Sequence, residues 1–168
     1  MARAAAAGDR LMAAWSSQVP AAMAALLAAF RAAPALAGPG TDIRDGPQVT
    51  GSPALEAVLV GWHGQMSDLL AAEATVNPEV FGDADDRELF AIRCAALVMN
   101  GQNDLAAART RAYALFAACG AVVRADRRLA GTVGDSHIGR HALRQEQRTD
   151  GAVATVEFTV QCDTFTGT

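Results

Sequence analysis

The stretch that most constrains the fold is residues 137–165, HIGRHALRQEQRTDGAVATVEFTVQCDTF. It alternates apolar and polar residues on both sides of an Asp150-Gly151 pair. Asp-Gly is favoured in tight type I′ turns, which need positive φ at both central residues. With those two at the turn, Thr149 faces Ala152, Arg144 faces Glu157 and Leu143 faces Phe158. One face then carries Leu143, Val156, Phe158, Val160 and Cys162. The other carries Arg140, Arg144, Glu146, Thr155, Glu157, Thr159 and Gln161. This period-2 split predicts a β-hairpin with one buried face. Arg144 opposite Glu157 adds roughly 0.2–1 kcal/mol. Two strands alone are marginal in water, so the hairpin requires more sheet and a covering layer.

The rest of the chain supplies both. Residues 1–17 are Ala-rich and read as an N-terminal arm, with a helix from Asp9 carrying Leu11, Met12 and Trp15. Residues 18–168 read as one α+β domain. Pro20 suits the first turn of a helix, and Met23, Leu26, Leu27 and Phe30 recur at helical spacing up to Pro34. Thr41 to Asp45 is extended. Residues 54–62, ALEAVLVGW, are apolar and too short for a typical helix, which points to an interior strand. Residues 63–80 are ambiguous: MSDLLAAEATV suits a helix, whereas Thr75, Val76, Val80 and Phe81 favour an extended run. Residues 82–86 form an acidic turn.

Arg87 to Asn100 is a strand apolar on both faces. Phe90, Ile92, Cys94, Ala96 and Val98 form one face; Leu89, Ala91, Arg93, Ala95 and Leu97 form the other. One face awaits a helix of this chain and the other a neighbouring subunit. Asn103 or Asp104 caps a helix running to about Ala125, roughly 33 Å long. Its stripe is Leu105, Ala108, Ala112, Leu115, Phe116, Cys119, Val122 and Val123. The expected architecture is α+β: an antiparallel sheet of four to five strands with two helices on one face.

Chemistry is sparse. All 14 basic residues are Arg, so no Lys is present for Schiff-base catalysis. The net charge of −4 argues against a basic nucleic-acid-binding surface. Cys94, Cys119 and Cys162 lack metal-ligand spacing and read as buried free thiols in a reducing cytosol. His137 and His141 on one strand face lie ~13 Å apart, too far to share a metal. No GxSxG, GxGxxG or P-loop motif occurs. Asp83, Asp85 and Asp86 are expected in a surface turn that does not desolvate them as an acid–base pair would need. No catalytic, cofactor or metal residues are assigned, and the chain reads as a non-enzyme. No apolar run reaches the ~20 residues of a membrane span, and the start of the chain does not read as a signal peptide.

The order of segments carries a resemblance. An N-terminal helix precedes IRDGPQVTGSPALEAVLVGW; an acidic turn, the strand RELFAIRCAALVMNG, the helix DLAAARTRAYALF and the closing LRQEQRTDGAVATVEFTVQCDTF follow. Over roughly residues 18–166 this resembles the tail terminator family of long-tailed bacteriophages, in the version carried by actinobacterial phages and prophages. The resemblance implies a virion protein assembled in the host cytoplasm. It implies a homohexameric ring at the head-proximal end of the tail, capping the tail-tube protein and meeting a head-side connector. DNA would pass the lumen without specific binding, and no membrane is involved.

On that reading the subunit interface uses Leu89, Ala91, Arg93, Leu97, Arg140, Arg144 and Glu157. Asp83, Asp85 and Asp86 face the lumen or tube, and the arm docks on a neighbour through Leu11 and Trp15. The rival readings are another head–tail connector or stopper, a tail-tube protein, or a small cytosolic ligand-binding α+β domain.

Overall fold

The computed structural model describes residues 15–47, 55–65, 67–78 and 86–166. Helix α1 (Val19–Ala32) is followed by β1 (Thr41–Asp45), β2 (Glu56–Val60), β3 (Ala72–Asn77) and β4 (Arg87–Asn100). Helix α2 (Leu105–Ala125), β5 (Asp135–Arg148) and β6 (Gly151–Phe165) complete the chain. The fold is α+β, as expected, with both helices on one face of the sheet.

The strands lie in the order β1-β2-β4-β6-β5, with β3 also paired to β4. β2 pairs with Cys94–Val98 and β3 with Arg87–Ile92. The two therefore lie end to end along one edge of β4. The sheet is five lanes wide, and its sixth strand arises because one lane is interrupted. One pairing departs from the antiparallel expectation: β1 runs parallel to β2.

α1 begins with Pro20 in its first turn and stops before Pro34, whose ring cannot continue it. Its buried line is Ala22, Leu26 and Phe30. Met23 and Leu27, expected on the stripe, lie on its flank and are only partly buried. α2 is capped by Asp104, whose carboxylate accepts the Ala107 N–H at 2.9 Å. Ala108, Ala112, Leu115, Cys119 and Val123 of α2 join Val58, Val60, Phe90, Ile92, Phe158 and Val160 in one core. Each fully buried large side chain there contributes about 1.5–3 kcal/mol. Arg111 of α2 reaches Glu56 on β2 with two bonds of 2.8 Å, fastening helix to sheet.

The hairpin forms, but in another register. Arg148 pairs with Gly151, Leu143 with Val156 and Arg144 with Thr155. From His141 to Arg148 every pairing is two residues from that set by an Asp150-Gly151 turn. The turn is Thr149-Asp150, and of these residues only Gly151 has positive φ, at 146°. A Cβ on Gly151 would lie 2.5 Å from the Asn100 carbonyl oxygen. Gly151 is thus held inside the ladder by close approach to the end of β4, not at the tip of a turn. Side chains alternate with period two, so that shift leaves residues 141–148 on their expected faces. A further irregularity lies between Ile138 and His141. It puts one extra residue on β5 and reverses the faces beyond it. His137 and His141, expected on one face, therefore point to opposite sides.

Candidate assembly surface

The face of the sheet away from the helices carries Leu89, Ala91, Arg93, Ala95 and Leu97 of β4. Opposite them on β6 stand Asp163, Gln161, Thr159, Glu157 and Thr155. Arg144 of β5 faces Thr155 and donates diagonally to the Glu157 carboxylate. The backbone N–H of Arg140 donates to Thr159 Oγ1 at 3.1 Å at the β5 irregularity. The seven residues expected at an interface, Leu89, Ala91, Arg93, Leu97, Arg140, Arg144 and Glu157, are thus collected on this side. At one end Leu89 is 39% exposed and Phe165, diagonal to it, is 54% exposed.

The centre of this face is covered by the chain itself. Between β2 and β3 the chain leaves the sheet at Gly61 and returns at Ala71. Gly61 and Trp62 N–H groups donate to the Arg93 carbonyl (2.8 and 3.1 Å), and the Arg93 N–H donates to the Ala71 carbonyl (2.9 Å). Trp62 packs in a small second cluster with Ala57, Leu59 and Ala95. Its indole N–H donates to the Gln65 carbonyl (3.1 Å), and the Gln65 amide donates to Glu157 (3.2 Å). Asp68 accepts from the Arg93 guanidinium at 2.6 Å and from the Leu70 N–H at 3.1 Å. The Leu70 N–H, followed by Arg93, holds its carboxyl below the usual carboxylate range. Ala95 is fully buried by this cover, and Arg93 is engaged within the chain. Among the described residues, what remains open is the Leu89–Phe165 end, the outer edge of β5 and a shallow polar groove. Glu73, Arg93, Arg140, Glu157 and Gln161 line that groove. His141 touches it, but its ring stacks on Phe116 of α2, 5.0 Å between centroids.

The covering segment was not legible as such in the sequence. Its signals were Gly61 and Gly64, both at positive φ, around Trp62, which the strand expected over residues 54–62 had included but which lies beyond the end of β2 at Val60. Glu88 was also missed. It lies among the alternating core residues of β4 and is 1% exposed. The Ser17 hydroxyl (2.6 Å) and the Gln18 N–H (2.8 Å) donate to its two carboxylate oxygens. Gln18 is the N-cap of α1 without a side-chain cap of its own, so Glu88 supplies the anion that a helix start favours.

Trp15 is 60% exposed; Leu11 lies outside the described residues. So do Asp83 and Asp85. The Asp86 carbonyl accepts from the N–H and hydroxyl of Thr166 (2.8 and 3.2 Å). All three cysteines are buried. Burial pushes the Cys119 and Cys162 thiols up to about 12 and Cys94 well above its ordinary value. Among the described residues, no three His, Cys, Asp or Glu side chains converge as a metal site, and no helix is long and apolar enough to cross a membrane.

No protein-family model matches the chain, and no curated protein matches it. Among solved structures it is similar to a chain from "Virion of native gene transfer agent (GTA) particle". The TM-score is 0.48 at 12% identity, over 86% of this chain and 94% of that one. A similarity of that size fixes neither family nor role.

Proposed function

We propose that the chain is a non-enzymatic structural subunit of a tailed-phage-like particle, and within it a tail terminator. Copies form a ring, six by family resemblance, that caps the tail tube and presents a surface to the head-side connector. The observation that carries the reading is the incompletely covered second face. Leu89 and Phe165 stand exposed together at one end of it, beside a long edge strand, β5, that among the described residues pairs on one side. An apolar surface rimmed by charge, here Arg87–Asp163, suits an interface between subunits. A net charge of −4 suits a lumen that DNA must traverse without being held by its phosphates. The acidic turn at Asp83, Asp85 and Asp86 faces that lumen or the tube, and the arm docks on a neighbouring copy through Leu11 and Trp15.

The test is genetic and microscopic. Particles lacking the protein should carry tails of irregular, excessive length, and tails of normal length would refute the terminator role. A purified chain that stays monomeric at micromolar concentration, with tail tube present, would refute the ring. A second reading, a ligand-binding domain, is favoured by the polar groove at Arg93, Arg140 and Glu157; a monomer that binds a small ion there would select it.

A further inference from the structure

The last turn of α2 and the start of β5 frame an open cavity of about 580 Å³ on the helix side of the sheet. That volume is within the range of small-molecule sites. Gly120, Val123 and Ile138 form its apolar floor. A Cβ on Gly120 would lie 3.8 Å from Ile138 Cγ1, an ordinary contact. Packing therefore does not demand the glycine, and its missing side chain widens the floor.

The polar lining is positive. Arg124 and Arg127 share the cavity with Asp135 and the exposed His137. Two guanidiniums thus stand against one carboxylate, in a chain whose net charge is −4. Arg127 is held in place by β5: its Nε donates to the Ser136 carbonyl at 3.3 Å and its Nη2 to the Asp135 carboxylate at 2.7 Å. A guanidinium has further N–H donors beyond those two, so Asp135 orients Arg127 without exhausting it. Arg124 has no side-chain hydrogen bond or ion pair among the described residues. The end of α2 contributes roughly half a negative charge, less than the excess of the guanidiniums over Asp135.

Ser136 adds the deciding observation. It pairs with Cys162, whose side chain lies in the core, so its hydroxyl turns to the helix side. Ser136 is fully buried, and its Oγ has no hydrogen-bond partner among the described residues. Buried hydroxyls are nearly always bonded, and leaving one unmade is costly. This one lines the cavity, where it can donate to a ligand oxygen beside the two guanidiniums.

We propose that Arg124, Arg127 and Ser136 bind the phosphate group of a small organic phosphate, whose carbon body rests on Val123 and Ile138. A phosphate offers several acceptor oxygens to donors arriving from a helix and from a strand, and its charge meets both guanidiniums. The site does not depend on the ring reading, and its failure would leave that reading untouched.

The probe is phenyl phosphate added to the full chain, followed by NMR amide shifts and calorimetry. Saturable shifts should centre on residues 120–127 and 135–138, and phenol should bind at least about tenfold more weakly. Ser136→Ala should weaken phenyl phosphate about tenfold. Without ligand it should melt no earlier than the parent, because the unbonded hydroxyl is gone. Arg124→Gln should weaken binding about threefold, a smaller effect because this group is open to water. Phenol binding as tightly as phenyl phosphate, benzoate binding more tightly, or either variant binding as the parent does would overturn the assignment. So would the absence of saturable shifts at these residues up to about 10 mM probe.

Discussion

Glu88→Ala is the sharpest test of how α1 is held to the sheet. The carboxylate is almost fully buried at the start of the helix and accepts from Ser17 and from the Gln18 N–H. Hydrogen bonds to a charged group contribute about 1.5–3 kcal/mol each. Both donors are partly reachable by water once the carboxylate is gone, so the combined loss should be about 3 kcal/mol. For a chain of this length that lowers Tm by about 6–12 °C. Glu88→Gln keeps one carbonyl acceptor and should lose about half as much. Ser17→Ala alone should cost about 1 kcal/mol, and much less when Glu88 is already Ala, because the two act through one bond. Thermal melts followed by circular dichroism measure all four proteins. A Glu88→Ala melt within about 1 °C of the parent, or strictly additive single and double variants, would refute the account.

Gly151→Ala should destabilise by about 1–3 kcal/mol, since its φ is positive and the new Cβ would meet the Asn100 carbonyl; a denaturant midpoint unchanged from the parent would contradict this. Trp62→Ala should cost about 3–5 kcal/mol and raise hydrogen exchange at residues 61–71 selectively, because that segment's hold on Ala57, Leu59 and Ala95 is lost. The Arg111 guanidinium holds the Glu56 carboxyl below its ordinary value of 4.5. A depressed carboxylate stabilises above its unfolded pKa and loses that contribution as pH falls through the folded one. Glu56→Gln should therefore flatten the loss of stability below about pH 4.5, and an unaltered acid limb would count against the pair. Thiol reagent at pH 8 should label none of Cys94, Cys119 and Cys162 until the chain is unfolded; rapid labelling of any would show that its burial is wrong.

Much of the layout was legible locally. β4 and α2 lie where the period of their apolar residues put them, because periods of two and 3.6 report burial directly. The faces of the hairpin were legible too, even though its register was not: a two-residue shift moves partners and leaves faces alone. The seven interface candidates are collected on one side for that reason. Residues 63–65 and 67–70 were opaque. They carry no period, since they lie across a sheet instead of within it, and their anchors, Ala95, Arg93 and Glu157, are distant in sequence. Asp86 and Trp15 show equally that a residue's presence in a turn or arm does not specify what it meets.

The amino-acid order by itself determined which side of each strand and helix turns inward, because that follows from backbone geometry and the placing of apolar groups. Tertiary structure alone decided the hairpin register, through the close approach of Gly151 to the end of β4. It also decided that the chain leaves the sheet at Arg93, because only there do two strands meet along one edge.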